Sequence, residues 1–252
     1  MKVTVLGCGT SSGVPRLPGI WGACDPNDPR NRRRRASLLV ETADTRIVID
    51  CGPDFRAQLL DHPIPQLDAV LLSHDHADHA HGIDDLRGFA TAQKERIPVY
   101  GMRETLDVIT RRFDYIFDGS NGYPPIARAI EIAPFREFTV GSLEILPFLQ
   151  HHGPVSSLGF RIGPLAYSTD VKALPEESFT ALSGVKVWIA DALRYRPHPT
   201  HACLEETLSW IARVGPERAI LTHLNQDMDY AALAGQLPAD VEPAFDGLSF
   251  TL

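Results

Sequence analysis

Cysteine is scarce in this chain of 252 residues, and so are long apolar runs and net positive charge. The four cysteines, Cys8, Cys24, Cys51 and Cys203, lie far apart and form no CxxC pair. That spacing excludes a disulfide-built scaffold, and reduced thiols are expected. No stretch approaches the roughly 18 apolar residues that a membrane-spanning helix needs. The opening MKVTVLGCGT runs directly into an alternating, strand-like pattern with no cleavable apolar segment, so the cytoplasm is the expected location. The formal net charge of −8 argues against a broad nucleic-acid-binding surface. An anionic small substrate stays open, because bound divalent cations would reverse the sign locally. The one basic block, Arg32-Arg33-Arg34-Arg35, reads either as a solvated loop or as a phosphate contact through one or two of its arginines.

What is present is ordinary globular material, 44% hydrophobic and 22% charged. No disordered linker, repeat or low-complexity tract interrupts it, so one domain over residues 1–252 is expected. Short strands punctuated by Gly and Pro are predicted at Lys2–Leu6, Ser37–Glu41, Arg46–Asp50 and Asp68–Ser73, the last a continuous apolar run suited to burial on both faces. Helices are predicted at Asp54–Leu60, Asp84–Lys94 and Glu104–Phe113, with a strand at Pro98–Gly101 and a loop near the site at Phe113–Pro125. Strands at Ala127–Ile132, Leu143–Phe148, Leu158–Ile162 and Leu165–Ser168 follow. The remainder alternates: helix Glu176–Leu182, strand Val185–Ala190, helix Cys203–Val214, strand Arg218–Thr222, a short helix near Tyr230–Gly235 and a last strand Leu248–Leu252. Strand-rich stretches with interspersed helices in both halves suggest two sheets with helices packed outside, an α+β fold of αββα type.

The densest chemistry is His74-Asp75-His76-Ala77-Asp78-His79. Chance placement of HxHxDH in a chain of this length and composition is expected roughly 10⁻³ times, so coincidence is a poor explanation. Neutral imidazole and carboxylate suit Zn²⁺, Mn²⁺ or Fe²⁺ in hydrolytic sites. Spacing of i, i+2 sends His74 and His76 the same way from an extended segment leaving a strand, and Asp78 and His79 fall on the next turn, within reach of a second ion. Four donors are too few for two metals. His152, Asp170 and His223 stand where predicted strands give way to loops, which makes them the candidates to complete the set. Asp170 is the natural bridging carboxylate. His151 competes with His152.

HxHxDH followed by distant His, Asp and His at strand ends resembles the metallo-β-lactamase superfamily over residues 50–223. The resemblance implies an αββα sandwich with a dinuclear site at one edge of its sheets. It implies that His74, His76 and His152 bind one metal, that Asp78, His79 and His223 bind the other, and that Asp170 bridges them. Asp50 matches the superfamily's early aspartate, which supports the metal loop from behind. His152 is preferred over His151 because the superfamily's third ligand tends to precede Gly, here Gly153. Within the superfamily the chain is most similar to the phosphodiesterases of the carbon–phosphorus lyase pathway, which open phosphoribosyl 1,2-cyclic phosphate. The loop Gly9-Thr10-Ser11-Ser12-Gly13-Val14-Pro15, His201 in Pro199-Thr200-His201, and the tail Phe245-Asp246-Gly247 carry that likeness. The chain departs from that family where a structural zinc is held by an early cysteine cluster and a later histidine. Only Cys24 is present in the early loop, and Leu224-Asn225-Gln226-Asp227 follows His223, so no structural zinc is expected.

The expected chemistry is hydrolysis of a small cyclic or nucleotide-like phosphodiester. Two metals make hydroxide available near neutral pH for in-line attack on phosphorus. His201 and Asp78 are the catalytic candidates, with His201 protonating the leaving alkoxide and His198 as its rival. Arg194, Tyr195 and Arg196 are read as substrate contacts or as surface. Asp75 and His81 are read as supporting or solvated groups. Backbone amides around Ser11 and Ser12 could receive a phosphate, or the turn serves packing alone. A small phosphodiester is the expected partner, with no membrane, and a homodimer is compatible with the pattern. The competing readings are tRNA 3′-end endonuclease, thioesterase or lactonase, and a non-catalytic nucleotide-binding protein on the same scaffold.

Overall fold

The computed structural model describes residues 1–119 and 122–252. In the first half the elements are β1 (Lys2–Gly7), β2 (Ser37–Glu41), β3 (Arg46–Ile49), α1 (Phe55–Asp61), β4 (Ala69–Leu71), α2 (Ala77–Ala80), α3 (Leu86–Gln93), β5 (Ile97–Gly101), α4 (Arg103–Arg112), α5 (Asp114–Phe117) and β6 (Ala127–Glu131). The second half holds β7 (Phe138–Val140), β8 (Leu143–His152), β9 (Val155–Ile162), β10 (Leu165–Ser168), α6 (Glu176–Leu182), β11 (Val187–Asp191), α7 (Leu204–Val214), β12 (Arg218–Thr222), α8 (Tyr230–Ala234), β13 (Val241–Pro243) and β14 (Ser249–Thr251). These strands form two seven-stranded sheets, ordered β14-β1-β2-β3-β4-β5-β6 and β13-β12-β11-β10-β9-β8-β7.

Period-two alternation explains the layering. In the first sheet Leu38, Val40, Ile47, Ile49, Ala69 and Leu71 point to the core between the sheets. Their neighbours Leu39, Val48 and Val70 point to the opposite face, where they pack with Phe55, Ile83, Leu86 and Ile109 from the helical side. The second sheet repeats the arrangement: Tyr167, Ile189 and Ile220 face the central core, while Ala166, Trp188 and Leu221 meet Leu182 and Ile211 of α6 and α7. Strands buried on both faces therefore read as continuous apolar runs. The result is the expected αββα sandwich, with α1–α5 outside one sheet and α6–α8 outside the other.

Each sheet is mixed. Strands β3, β4, β5 and β6 run parallel, as do β10, β11, β12 and β13. The carboxyl ends of these strands therefore open on one edge of each sheet, which is where a parallel sheet presents loops to a ligand.

Several local expectations are revised. Leu143–Phe148 extends to His152 and pairs in register with β9 from Val155, giving a long hairpin where two short strands were expected. Asp84–Lys94 divides into a 3₁₀ turn, Ile83–Asp85, and α3, which stops at Lys94 in a left-handed conformation. Part of Phe113–Pro125 folds as α5, with Ile116 buried, and its residues 120 and 121 lie outside the described residues. Strands β7 and β13 have no predicted counterpart. Both are three-residue edge strands, and β13 contains Pro243, which an edge tolerates because no ladder donor is needed there.

The C-terminal tail is tied in through Asp246. Its carboxylate accepts hydrogen bonds from the backbone N–H of Cys8 (3.1 Å) and of Arg34 (2.7 Å). Burial pushes this carboxyl up to about 6, against the pull of those two donors. A raised carboxyl favours folding below its unfolded value near 3.9, and that contribution is lost as pH rises through about 6. Replacement Asp246→Asn should therefore lessen the fall in unfolding free energy between about pH 5 and about pH 7.5, by about 1–2 kcal/mol relative to the parent in urea denaturation at fixed metal content. Equal slopes in the two proteins would contradict this.

Candidate metal centre

Five strand ends converge. Asp50 follows β3, Ser73 and His74 follow β4, Asp170 follows β10, Asp191 closes β11 and His223 follows β12. His152 ends β8 of the long hairpin, while Asp78 and His79 lie in the first turn of α2. Asp50, Asp170 and His223 adopt left-handed backbone conformations, with φ of 63°, 51° and 59°. Non-glycine residues avoid this region, and strain of this kind is retained where the surrounding structure over-determines it. Two glycines permit the close approaches. A Cβ at Gly52 would lie 1.9 Å from the Asp78 carbonyl oxygen, and one at Gly153 would lie 2.5 Å from Cγ2 of Thr200.

Two sets of donors meet across Asp170. Its Oδ2 lies 3.6 Å from His74 Nε2 and 3.4 Å from His152 Nε2. Its Oδ1 lies 3.1 Å from both His79 Nε2 and His223 Nε2. Asp78 Oδ2 joins the second set, 3.1 Å from His79 Nε2 and 3.9 Å from His223 Nε2. The structure thus brings together His74, His76, His152 and Asp170 in one group, and Asp78, His79, Asp170 and His223 in another, with ligand atoms within 4.8 Å of one another in each. All seven residues picked out in the sequence lie in these two groups. His151 is not among them: it is exposed, and its backbone pairs with Ala173.

Outward-facing nitrogens are fixed from behind. Asp50 Oδ2 lies 2.7 Å from His79 Nδ1, while its carboxylate also accepts from the backbone N–H and hydroxyl of Ser73. The Thr200 carbonyl lies 2.7 Å from His152 Nδ1, which makes that nitrogen the N–H donor and leaves Nε2 as a lone pair toward Asp170. Asp191 was missed by the sequence reading. Fully buried, it lies 3.1 Å from His201 Nδ1 and 3.7 Å from His223 Nδ1. Its only signal in the sequence is an acidic residue closing the apolar run VWIAD.

The donor set fits divalent ions. His74 Nε2, His79 Nε2 and His223 Nε2 are buried with no hydrogen-bond partner, a costly state that a coordinated ion would relieve. Burial holds His74 and His152 below the usual imidazole range. Burial acts the same way on His79 and His223, but the carboxylates outweigh it: Asp170, Asp50 and Asp78 hold His79 well above its usual value, and Asp170 with Asp78 lifts His223 to about 9. Among the described residues, every group of three or more His, Cys, Asp or Glu side chains that could share an ion lies in this centre.

His201 is buried beside the cluster, its ring stacked on His223 at 4.8 Å and its Nε2 3.9 Å from Asp170 Oδ2. His198 sits behind it, with centroids 5.1 Å apart, and its Nδ1 faces the backbone N–H of Thr200. Asp75 and His81 stand outside the cluster and face Arg112, which pairs with the Asp75 carboxylate at 2.9 Å. Ser11 and Ser12 are exposed at a turn. Arg194 spends its guanidinium on the carbonyls of Arg196 and Pro197, and Arg194, Tyr195, Arg196 and Asp227 line a cavity of about 330 Å³. A larger cavity of about 590 Å³ lies against α1 and α3, and no residue of the cluster lines it.

A model of the β-lactamase superfamily domain matches residues 45–224. A solved structure described as a new diphosphatase from the PhnP family superposes with a TM-score of 0.92 at 33% identity, covering 99% of this chain and 96% of that one. A Porphyromonas gingivalis protein named octanoyltransferase is 37% identical over 98% of this chain and 51% of its own length. A ribonuclease Z of Bradyrhizobium sp. is 31% identical over 52% of this chain and 45% of its own. The chain spans about half the length of these curated relatives.

Supporting carboxylates of this kind typically govern metal affinity by 10–100-fold. Asp50→Ala should therefore weaken divalent-metal binding by about 10–100-fold in a titration against a competing chelator. Unchanged affinity would remove Asp50 from its supporting role.

Proposed function

This chain belongs to the metallo-β-lactamase superfamily, and from that premise we propose that it is a dinuclear metal-dependent phosphodiesterase of small cyclic or nucleotide-like esters, such as phosphoribosyl 1,2-cyclic phosphate. The observation that carries the reading is the Asp191–His201 pair held against the double donor set, with His201 Nε2 turned toward Asp170. A thioester, whose thiolate can leave unprotonated, has less need of an acid at that place than a sugar alkoxide does. Zn²⁺ or Mn²⁺ is the proposed metal, and Fe²⁺ suits the same ligands. His74, His76 and His152 would hold one ion, Asp78, His79 and His223 the other, and Asp170 both.

Bound divalent ions would supply Lewis acidity, acidifying water and offsetting charge on the phosphoryl oxygens. The rest of the assignment falls to the chain's own groups. His201 donates Nδ1–H to Asp191, which fixes the ring with Nε2 turned toward the cluster, where it can hand a proton to a departing oxygen. As the new P–O bond forms and the ester P–O bond breaks, the Nε2 proton passes to the alkoxide. Asp78, at the more open rim of the cluster, is the carboxylate assigned to take a proton from the attacking water.

The name of the 33%-identical structure favours a second reading, hydrolysis of a phosphoanhydride. The two differ in the leaving group, because a departing phosphate needs no proton near neutral pH. The similarity to ribonuclease Z covers about half of this chain, and a net charge of −8 weighs against tRNA.

The test is turnover by metal-reconstituted protein on a panel: phosphoribosyl cyclic phosphate, a cyclic nucleotide, a bis-aryl phosphodiester, a dinucleoside diphosphate, a lactone and an octanoyl thioester. Phosphodiesters should be hydrolysed, and His201→Ala should lower kcat by about 10²–10⁴-fold on alkoxide leaving groups and far less on aryl ones. Turnover confined to the thioester or lactone, or a full rate for His201→Ala on an alkoxide ester, would overturn the reading.

A further inference from the structure

The run Arg32–Arg35 contains one arginine that is neither solvated nor free to meet a phosphate. Arg33 is 2% exposed, one of the largest fully buried side chains in the molecule. Its neighbours behave as surface arginines do: Arg32 lies over the Trp21 ring, Arg34 pairs with Asp61 and Arg35 with Asp54. The Arg33 guanidinium instead donates to the carbonyls of Asn225 (3.1 Å) and Met228 (2.7 Å) and to Asn31 Oδ1 (3.2 Å), with Cys24 Sγ at 3.8 Å. Its Nε has no partner. Among the described residues no carboxylate pairs with it. Negative charge reaches it through Asn31, whose amide donates to Asp229 Oδ2 at 2.7 Å. Burying a guanidinium among neutral acceptors is expensive, and hydrophobic replacements of such groups often cost little stability. A role in placing something else is the better account of it.

What it places is the turn directly after His223. Asn225 and Met228 open and close one four-residue turn, and a single planar cation bridges their carbonyls. The same loop is clasped near its root: Leu224 N–H donates to Cys8 O at 2.8 Å, Thr10 N–H to Leu224 O at 3.3 Å, and Asn225 N–H to Leu193 O at 3.0 Å. Arg33 is itself locked to Val14 by a reciprocal backbone pair, and a Cβ on Gly9 would lie 2.9 Å from Arg33 Cβ. His223 stands at the root of this loop with a φ of 59°, a conformation it would leave if released.

We propose that Arg33 is a positioning residue for the Asp78–His79–His223 half of the centre: its guanidinium clamps the Asn225–Met228 turn onto the early loop and thereby holds His223 in its strained backbone conformation. The proposal rests on the dinuclear reading above. His74, His76 and His152 come from other segments, and none of the hydrogen bonds of this clamp reaches them. Its removal should therefore act on one half of the site and spare the other, which a general loosening of the fold would not do.

The test is a Co²⁺ titration followed by visible absorption on the parent, Arg33→Met, Arg33→Lys and Asn31→Ala, with thermal melts as the control for folding. The parent should bind two equivalents. Arg33→Met should leave one equivalent at the parent's affinity and weaken the other by about 10–100-fold, with Arg33→Lys between parent and Arg33→Met because its ammonium keeps the charge but not the planar fork. Asn31→Ala, which leaves the cation in place and removes one acceptor, should shift the same equivalent by less. If Arg33→Met does not fold, Arg33→Lys and Asn31→Ala decide the matter by the same measure. Unchanged isotherms in the folded variants, or equal weakening of both equivalents, would overturn the proposal. Failure of the parent to bind two equivalents would instead overturn the dinuclear reading.

Discussion

The centre turns on a single carboxylate buried in a ring of imidazoles. Asp170 presents Oδ2 to His74 and His152 and Oδ1 to His79 and His223, all within 3.6 Å. Buried ring nitrogens here have no hydrogen-bond partner, and burial holds His74 below the usual imidazole range, whereas at His223 the neighbouring carboxylates outweigh burial. Cations placed on either side of Asp170 would resolve both problems together. The fold's other features near the site follow from the need to keep that carboxylate in place.

Parallel strands do this by ending together. Asp50, Ser73, Asp170, Asp191 and His223 all leave the sheets at the same edge, and three of them turn through left-handed backbone to do so. Hydrogen bonds over-determine the turn at Asp170: its carbonyl accepts from Ser157 Oγ, and Ser157 Oγ is in turn met by the Gln150 amide. Outward-facing nitrogens are aimed by groups behind them, Asp50 behind His79, the Thr200 carbonyl behind His152 and Asp191 behind His201. Local strain at the ligands is offset by the two-sided burial of the strands that deliver them.

Legibility in the sequence followed density. His74 to His79 is compact enough to rule out chance, and the double burial of β4 shows as an unbroken apolar run ahead of it. His152, Asp170 and His223 were readable as polar residues at strand ends. Asp191 was not, because one acid closing an apolar strand is indistinguishable from a solvated end until the fold sets His201 beside it. Arg33 was unreadable for the opposite reason: four consecutive arginines look like surface, and only tertiary contacts select which one turns inward. The long hairpin was shortened because Gln150 and His151 break the apolar pattern, although Gln150 is fully buried in a network that periodicity does not register. Strands of three residues at sheet edges carry too little pattern to be found.

Identity of substrate rests on smaller features than the metal centre does. The Asp191–His201 pair distinguishes one leaving group from another, whereas the donors around Asp170 fix only that metal chemistry occurs. The most direct measurement on that central point is the metal content, by mass spectrometry, of the reconstituted chain and of Asp170→Asn after removal of free ions. The account predicts two divalent ions per chain in the parent and at most one in Asp170→Asn. A parent that retains a single ion at saturation, or an Asp170→Asn variant that keeps two, would contradict it.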